Sequence, residues 1–277
     1  MHKEARPSAV IAEDNENRVC EEGRVEINTG ATPETGVEGV TKKPRLRAKP
    51  KYAFPIPVMA VAFDFDGTLV DSIDDLTEAV NRMRNVLGFA PLATSLVKTF
   101  VGKGIAHLVD RALADAVGQL GPTAHKVALE VFEKYYTECC TNAPRVFPGV
   151  IDGLNAIQQA GFRLACITNK PERFTHAMLQ KTGLKDYFEM VVCGDTLEHK
   201  KPHPLPMLHI AKKFDISAEK LLLIGDSVSD AEAARAAGSP VFIVPYGYSG
   251  HDEIRGLDCD AYIDSLPAAL KLIKMAS

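Results

Sequence analysis

The sequence predicts an α/β fold in which a doubly wound parallel sheet carries an all-helical insertion after its first strand. Three observations predict it. Short apolar runs at 58–65, 162–168, 191–193, 221–225 and 241–244 alternate with helical stretches, and such alternation implies a parallel sheet covered on both faces. Between Ser72 and Arg145 no strand of comparable strength appears, so helices alone interrupt the alternation. Residues able to do chemistry cluster at or just past the carboxyl ends of the strands, where sheets of this kind bind ligands.

The N-terminal stretch reads differently from the rest. Acidic and small residues dominate it up to residue 40, and then Lys42, Lys43, Arg45, Arg47, Lys49 and Lys51 form a basic cluster broken by Pro44 and Pro50. This composition buries too little apolar surface to offset its ordering entropy, so 1–56 is expected to be a disordered extension. The cluster is taken as solvated rather than as a contact for RNA, membrane or an acidic partner. The run 58–65 is the first strand. Ser72 or Asp74 then caps a helix carrying Leu76, Val80, Met83 and Leu87 at helical spacing. Further helical stretches follow at 95–100, 105–117 and 123–139, so the insertion covers 73–146, and its apolar stripes are most simply its own core. After Phe147, Pro148 and Gly149, a helix at 150–159 ends at Gly161 and 162–168 is a strand. Pro171 opens the next helix at a position where its missing N–H does no harm. The sheet-bearing part is therefore 57–72 together with 147–277.

Apolar residues make up 46% of the 277-residue chain, enough for a sizeable core. A formal net charge of −4 gives no reason to expect nucleic acid as a partner. The six cysteines show no C-x-x-C spacing and are expected as reduced thiols in a cytoplasmic protein. No segment is apolar and long enough to span a bilayer, and the N-terminus lacks the apolar region of a signal peptide. Oligomeric state is left open.

The chemistry centres on Asp64 and Asp66. Residues i and i+2 of a strand share a side, so both carboxylates face one point at the strand end. Two like charges that close repel, which costs stability unless a cation or a reaction uses them. The pair reads as a nucleophile, a general acid/base and part of a Mg²⁺ site, with Gly67 permitting a tight turn and Thr68 supplying a hydroxyl. Three further clusters end later strands: Ile167-Thr168-Asn169-Lys170, Lys200-Lys201-Pro202-His203-Pro204, and Ile224-Gly225-Asp226-Ser227-Val228-Ser229-Asp230. Each is weak alone; their order along one sheet is the signal. Asp230 lies one helical turn beyond Asp226, so both can face the site.

D-F-D-G-T-L-V-D-S, I-T-N-K, K-K-P-H-P and G-D-S-V-S-D resemble the four motifs of the haloacid-dehalogenase-like hydrolases, over roughly residues 58 to 273. The resemblance implies a Rossmann-like core, with 73–146 as its small helical cap. It implies Asp64 as the attacking group, Asp66 as acid and then base, and Mg²⁺ held by Asp64, the Asp66 carbonyl and Asp226. Thr168 and Asn169 would bind the phosphoryl oxygens, and Asp230 would orient a lysine or a metal-bound water. The lysine directly before the proline, Lys201, is selected over Lys200 as the charge-neutralising group, and His199 and His203 are taken as surface residues. The pattern is similar, more narrowly, to bacterial phosphoglycolate phosphatases. That implies a small phosphorylated metabolite, 2-phosphoglycolate, as substrate. Lys103, between Gly102 and Gly104, is then a candidate for reading its carboxylate, with Arg111 second. Alternatives are a related sugar-phosphate or nucleotide phosphatase, a phosphoglucomutase-like enzyme, or an inactive binding scaffold.

Overall fold

Two-residue alternation along the strands sorts the core of this protein into two layers, one on each face of a sheet. In the computed structural model, which describes residues 48–118, 121–249 and 254–276, the chain begins with β1 (Ile56–Val58), β2 (Ala60–Phe63) and β3 (Val70–Asp71). Four helices follow: α1 (Ile73–Val86), α2 (Thr94–Lys98), α3 (Ile105–Val117) and α4 (Pro122–Cys139). After β4 (Arg145–Val146) come α5 (Val150–Gln159), β5 (Arg163–Ile167), α6 (Glu172–Thr182), β6 (Met190–Val192), α7 (Leu205–Lys213), β7 (Leu221–Gly225) and α8 (Val228–Ala237). The chain ends with β8 (Val241–Ile243), β9 (Ala261–Tyr262), α9 (Leu266–Ala269) and β10 (Ile273–Met275).

The main sheet has the order β6-β5-β2-β7-β8-β9 and every neighbouring pair is parallel. Val61, Phe63, Leu164, Cys166, Leu222 and Ile224 point to one face, where α5, α6 and α9 cover them. Ala60, Ala62, Ala165, Ile167, Leu221 and Leu223 point to the other, beneath α7 and α8. The alanines on that second face let the helices approach closely, while the larger side chains opposite fill the space toward α5 and α6. Complete burial of each leucine, isoleucine or phenylalanine contributes about 1.5–3 kcal/mol, so this two-sided packing fixes the register of β2 at the centre.

The strand expected over 58–65 is divided. Ile56 to Val58 pair with Ile273 to Met275 in a separate two-stranded sheet, and the chain enters the main sheet only at Ala60. Of the extension expected to be disordered over 1–56, residues 1–47 lie outside the described residues, while 48–56 are held on the core. Lys49 N donates to Cys259 O at 2.8 Å, Lys51 N to Asp260 Oδ1 at 2.7 Å and Tyr52 OH to Gly238 O at 2.7 Å. Phe54 meets Phe242, and Lys51 pairs with Asp258 at 3.0 Å. The partners lie about two hundred residues away, out of reach of a composition argument.

The helical insertion leaves and rejoins the core at one point. β3 and β4 run antiparallel, with Val70 opposite Val146 and Asp71 opposite Arg145. Leu76, Val80 and Met83 of α1 and Phe132 and Tyr136 of α4 are buried in this block. Arg84 is also buried and donates to the carbonyls of Ala90 and Ala112 and to both carboxylate oxygens of Asp115. Among the described residues no helix is long and apolar enough to cross a membrane. Cys139, Cys140, Cys166, Cys193 and Cys259 are free, buried thiols.

Candidate active site

The site forms where β2, β5 and β7 end. Asp64 N still donates to Ile224 O at 2.9 Å, so the ladder to β7 holds the residue while its carboxylate passes the sheet edge. The chain then turns back at once: Gly67 N donates to Val70 O, and Leu69 N and Val70 N to Phe65 O. Gly67 has φ +86°, and a Cβ there would meet Asp226 Oδ2 at 2.4 Å. The turn thus requires glycine both for its backbone and for the approach of the second carboxylate. Asp226, just past β7, accepts from Tyr248 N at 2.6 Å through Oδ2 and from Thr68 Oγ1 at 3.4 Å through Oδ1.

Lys201 threads between the acids. Its Nζ lies 2.8 Å from Asp64 Oδ1 and 2.6 Å from Asp230 Oδ1, and it donates to Ile167 O at 2.9 Å. The other oxygen of Asp230 accepts from Ser227 N and Ser227 Oγ at the start of α8. Lys200, expected to be solvated, is half-buried instead, with Nζ against the backbone of Gly104. Its own burial pulls its pKa down. His199 and His203 are exposed.

The charge balance is uneven. Asp64, Asp226 and Asp230 are buried and offer ligand oxygens within 4.8 Å of one another, with Lys201 as the cation between them. Burial and the neighbouring charge of Asp230 push Asp64 well above the usual carboxylate range, against the pull of Lys201. The same two causes raise Asp226 to about 7. Burial alone would depress Lys201, but Asp230 and Asp64 outweigh it and hold the ammonium above its ordinary value. Three carboxylates against one ammonium leave a deficit of positive charge.

Asp66 and Thr168 join this cluster at the wall of a cavity, together with Asn169 and Lys170 from the end of β5. Val101, Gly102, Gly104, Ile105 and Leu108 of the insertion close the other side. The cavity between the two sides measures about 30 Å³. Asn169 does not offer its side-chain amide to the cavity as expected: Nδ2 donates to Gly102 O at 2.9 Å and to Lys201 O at 2.8 Å, strapping the insertion to the core. Lys103 is not brought to the cavity. Its flanking glycines, with φ +110° and +87°, turn the backbone inward and leave the lysine exposed. Arg111 is exposed too, over the ring of Phe100.

Two participants escaped the sequence reading. Lys170 Nζ pairs with both oxygens of Asp66 at 3.0 Å, and Ser72 Oγ donates to Asp66 Oδ1 at 2.5 Å. Lys170 stands inside the quoted I-T-N-K run, so its nearness to the site was readable. Ser72 stands at the N-cap of α1 as its position predicts, but its hydroxyl goes to Asp66 and not to the helix.

The description haloacid dehalogenase-like hydrolase matches residues 61–244. The chain belongs to that family. Among its relatives, a phosphoglycolate phosphatase of Nitrosospira multiformis is 47% identical over 225 residues, spanning 81% of this chain and 99% of that protein. One of Cupriavidus necator is 42% identical over 222 residues, spanning 80% and 95%. The crystal structure of a predicted phosphoglycolate phosphatase from Haemophilus somnus is similar with a TM-score of 0.72 at 32% identity, over 77% of this chain and 97% of that one. CbbY from Rhodobacter sphaeroides, solved with phosphate, shares the fold with a TM-score of 0.65 at 23% identity, over 78% and 100%.

A divalent cation fits a haloacid dehalogenase-like hydrolase built this way. The donors are hard oxygens, as Mg²⁺ prefers, and the acids exceed the cations. Both oxygens of Asp230 are held tightly, by Lys201 and by Ser227 at 2.6 Å each, whereas Oδ1 of Asp226 has only the 3.4 Å contact from Thr68, so Asp64 and Asp226 are the better placed carboxylate ligands.

Proposed function

We propose that this protein is a Mg²⁺-dependent phosphomonoesterase that converts 2-phosphoglycolate to glycolate and phosphate through an aspartyl-phosphate. The observation that carries the reading is Lys201 bridging Asp64 and Asp230 beside Asp226. Relatives named phosphoglycolate phosphatase, aligned over nearly their whole length, support the substrate.

Asp64 is the nucleophile. Its free oxygen attacks phosphorus as the ester P–O bond breaks, and the carboxyl proton of Asp66 passes to the leaving glycolate oxygen. In the second half, Asp66 takes a proton from water, the water oxygen attacks phosphorus, and the Asp64–phosphorus bond breaks to release phosphate. One carboxyl serves both halves because the steps demand opposite protonation states. Lys201 neutralises charge on Asp64 and the transferring group, while Asp230 holds that lysine in place. Thr168 and the backbone N–H of Asn169 bind phosphoryl oxygens. Asp64, the Asp66 carbonyl and Asp226 would hold Mg²⁺, which would supply the positive charge that lets an anionic nucleophile meet an anionic phosphate. The core is assigned to 57–72 and 147–277, and the cap to 73–146.

The test is phosphate release, with Mg²⁺ and with EDTA, from 2-phosphoglycolate and from a panel of sugar phosphates and nucleotides. The reading requires the highest kcat/KM on 2-phosphoglycolate, loss of turnover in EDTA, and loss of all turnover in Asp64→Asn. A sugar phosphate at the top would overturn the substrate. Activity persisting in Asp64→Asn would overturn the mechanism.

A further inference from the structure

Asp66 does not stand alone at the cavity wall. Lys170 Nζ holds both of its oxygens at 3.0 Å, and the third proton of that ammonium goes to Tyr136 OH. Tyr136 comes from α4, in the helical insertion, whereas Asp66 and Lys170 come from the loops after β2 and β5. The lysine side chain is 2% exposed. The tyrosine is completely buried, with its ring centroid 5.4 Å from Phe132 and 4.8 Å from Phe174 and its hydroxyl on Met178 Sδ. The ammonium also sits 4.8 Å from the centroid of the tyrosine ring. All three of its protons are committed, so it has one place to be.

We propose that Lys170, anchored by Tyr136, is a positioning residue that sets the orientation of the Asp66 carboxyl group for proton transfer to the leaving oxygen. This rests on the reading of Asp66 as acid/base. Lys201 already serves the nucleophile and the transferring phosphoryl group, and Lys170 makes neither of its contacts. Oδ1 of Asp66 receives both Ser72 and Lys170, whereas Oδ2 receives Lys170 alone. Oδ2 therefore keeps the lone pair that carries the exchanged proton. The bidentate pair and the serine fix the plane of the carboxyl group at the cavity wall, so Oδ2 cannot turn without breaking the contact to Lys170. Because Tyr136 belongs to the insertion, this orientation is complete only when the insertion sits down on the core.

Leaving-group dependence tests the proposal. An alkyl phosphate expels an alkoxide that needs the proton from Asp66, while p-nitrophenyl phosphate expels a stable phenolate that needs little help. General acid catalysis contributes about 10²–10⁴-fold, and misplacing the acid forfeits part of it. In Lys170→Met, the ratio of kcat on 2-phosphoglycolate to kcat on p-nitrophenyl phosphate should fall at least about tenfold from that of the wild type. Tyr136→Phe keeps the ring and removes one hydrogen bond, so the ratio should fall about threefold in the same direction. Lys170→Met is close in length and apolar, and Tyr136→Phe preserves the packing, so a folding defect in one leaves the other to decide. Equal losses on both substrates, or a loss confined to KM for 2-phosphoglycolate, would overturn the proposal. If the wild type prefers another alkyl monoester, the substrate reading fails, and the same ratio formed with that ester still decides the role of Lys170.

Discussion

Lys201 and Lys200 are adjacent in sequence and have opposite surroundings. Lys201 is buried between Asp64 and Asp230, whereas Lys200 rests half-buried against the turn at Gly104. Breaking a buried charge pair by removing one partner costs about 3–5 kcal/mol, because the other charge is left uncompensated. Lys201→Met should therefore destabilise the metal-free protein by roughly 3 kcal/mol, read from urea unfolding in EDTA. It should also lower kcat by about 10²–10³-fold, the usual loss when a preorganised charge facing the transition state is removed. Lys200→Met lacks both causes. Equal effects of the two substitutions would refute the assignment of the central cation to Lys201.

The turn after β2 is the element on which the site depends most. It must reverse the chain within a few residues and still admit Asp226, and Gly67 satisfies both demands. In Gly67→Ala the new methyl group meets Asp226 Oδ2, which Tyr248 N holds from the other side, and the left-handed φ adds strain. The expected outcome is a Mg²⁺ affinity at least about tenfold weaker, since a misplaced carboxylate ligand loses that much or more. Titration of activity with Mg²⁺ would show it, and an unchanged half-saturating concentration would remove Asp226 from the metal site. The turn at Gly102 to Gly104 is the counterpart on the insertion. There two glycines present a backbone carbonyl to Asn169, and the lysine between them faces solvent.

At the scale of the molecule, burial of acids links stability to pH and metal. Asp226 stands at about 7 in the folded protein against an ordinary value of 3.8, and Asp64 shifts in the same direction. Between those values the folded, metal-free protein binds more protons than the unfolded chain. Its stability from this source is therefore full at low pH and is lost as pH rises toward 7. Mg²⁺ favours the deprotonated carboxylates and displaces those protons. The rise in Tm on replacing EDTA with Mg²⁺ should accordingly be larger at pH 8 than at pH 5. An equal rise at both would mean that metal binding does not draw on these acids.

Much of this arrangement was legible in the order of residues. Short apolar runs marked every strand of the main sheet except β9, whose two residues are too few to stand out, and the i, i+2 spacing of Asp64 and Asp66 marked the end of the first. The spacing of Asp226 and Asp230 pointed to a common site, but Asp226 lies before α8 begins at Val228, so it is the chain's turn out of β7 and not a helical face that brings the two acids together. These features are local: they follow from backbone geometry and from the burial of a repeating side. Tertiary structure alone decided the docking of residues 48–56, the outward direction of Lys103 and the use of Asn169 as a strap. It also decided that Tyr136 in an apolar helix stripe reaches Lys170, 34 residues further on. Contacts of that kind depend on which distant groups share a small buried volume, and they form because an unpaired charge or donor there is costly.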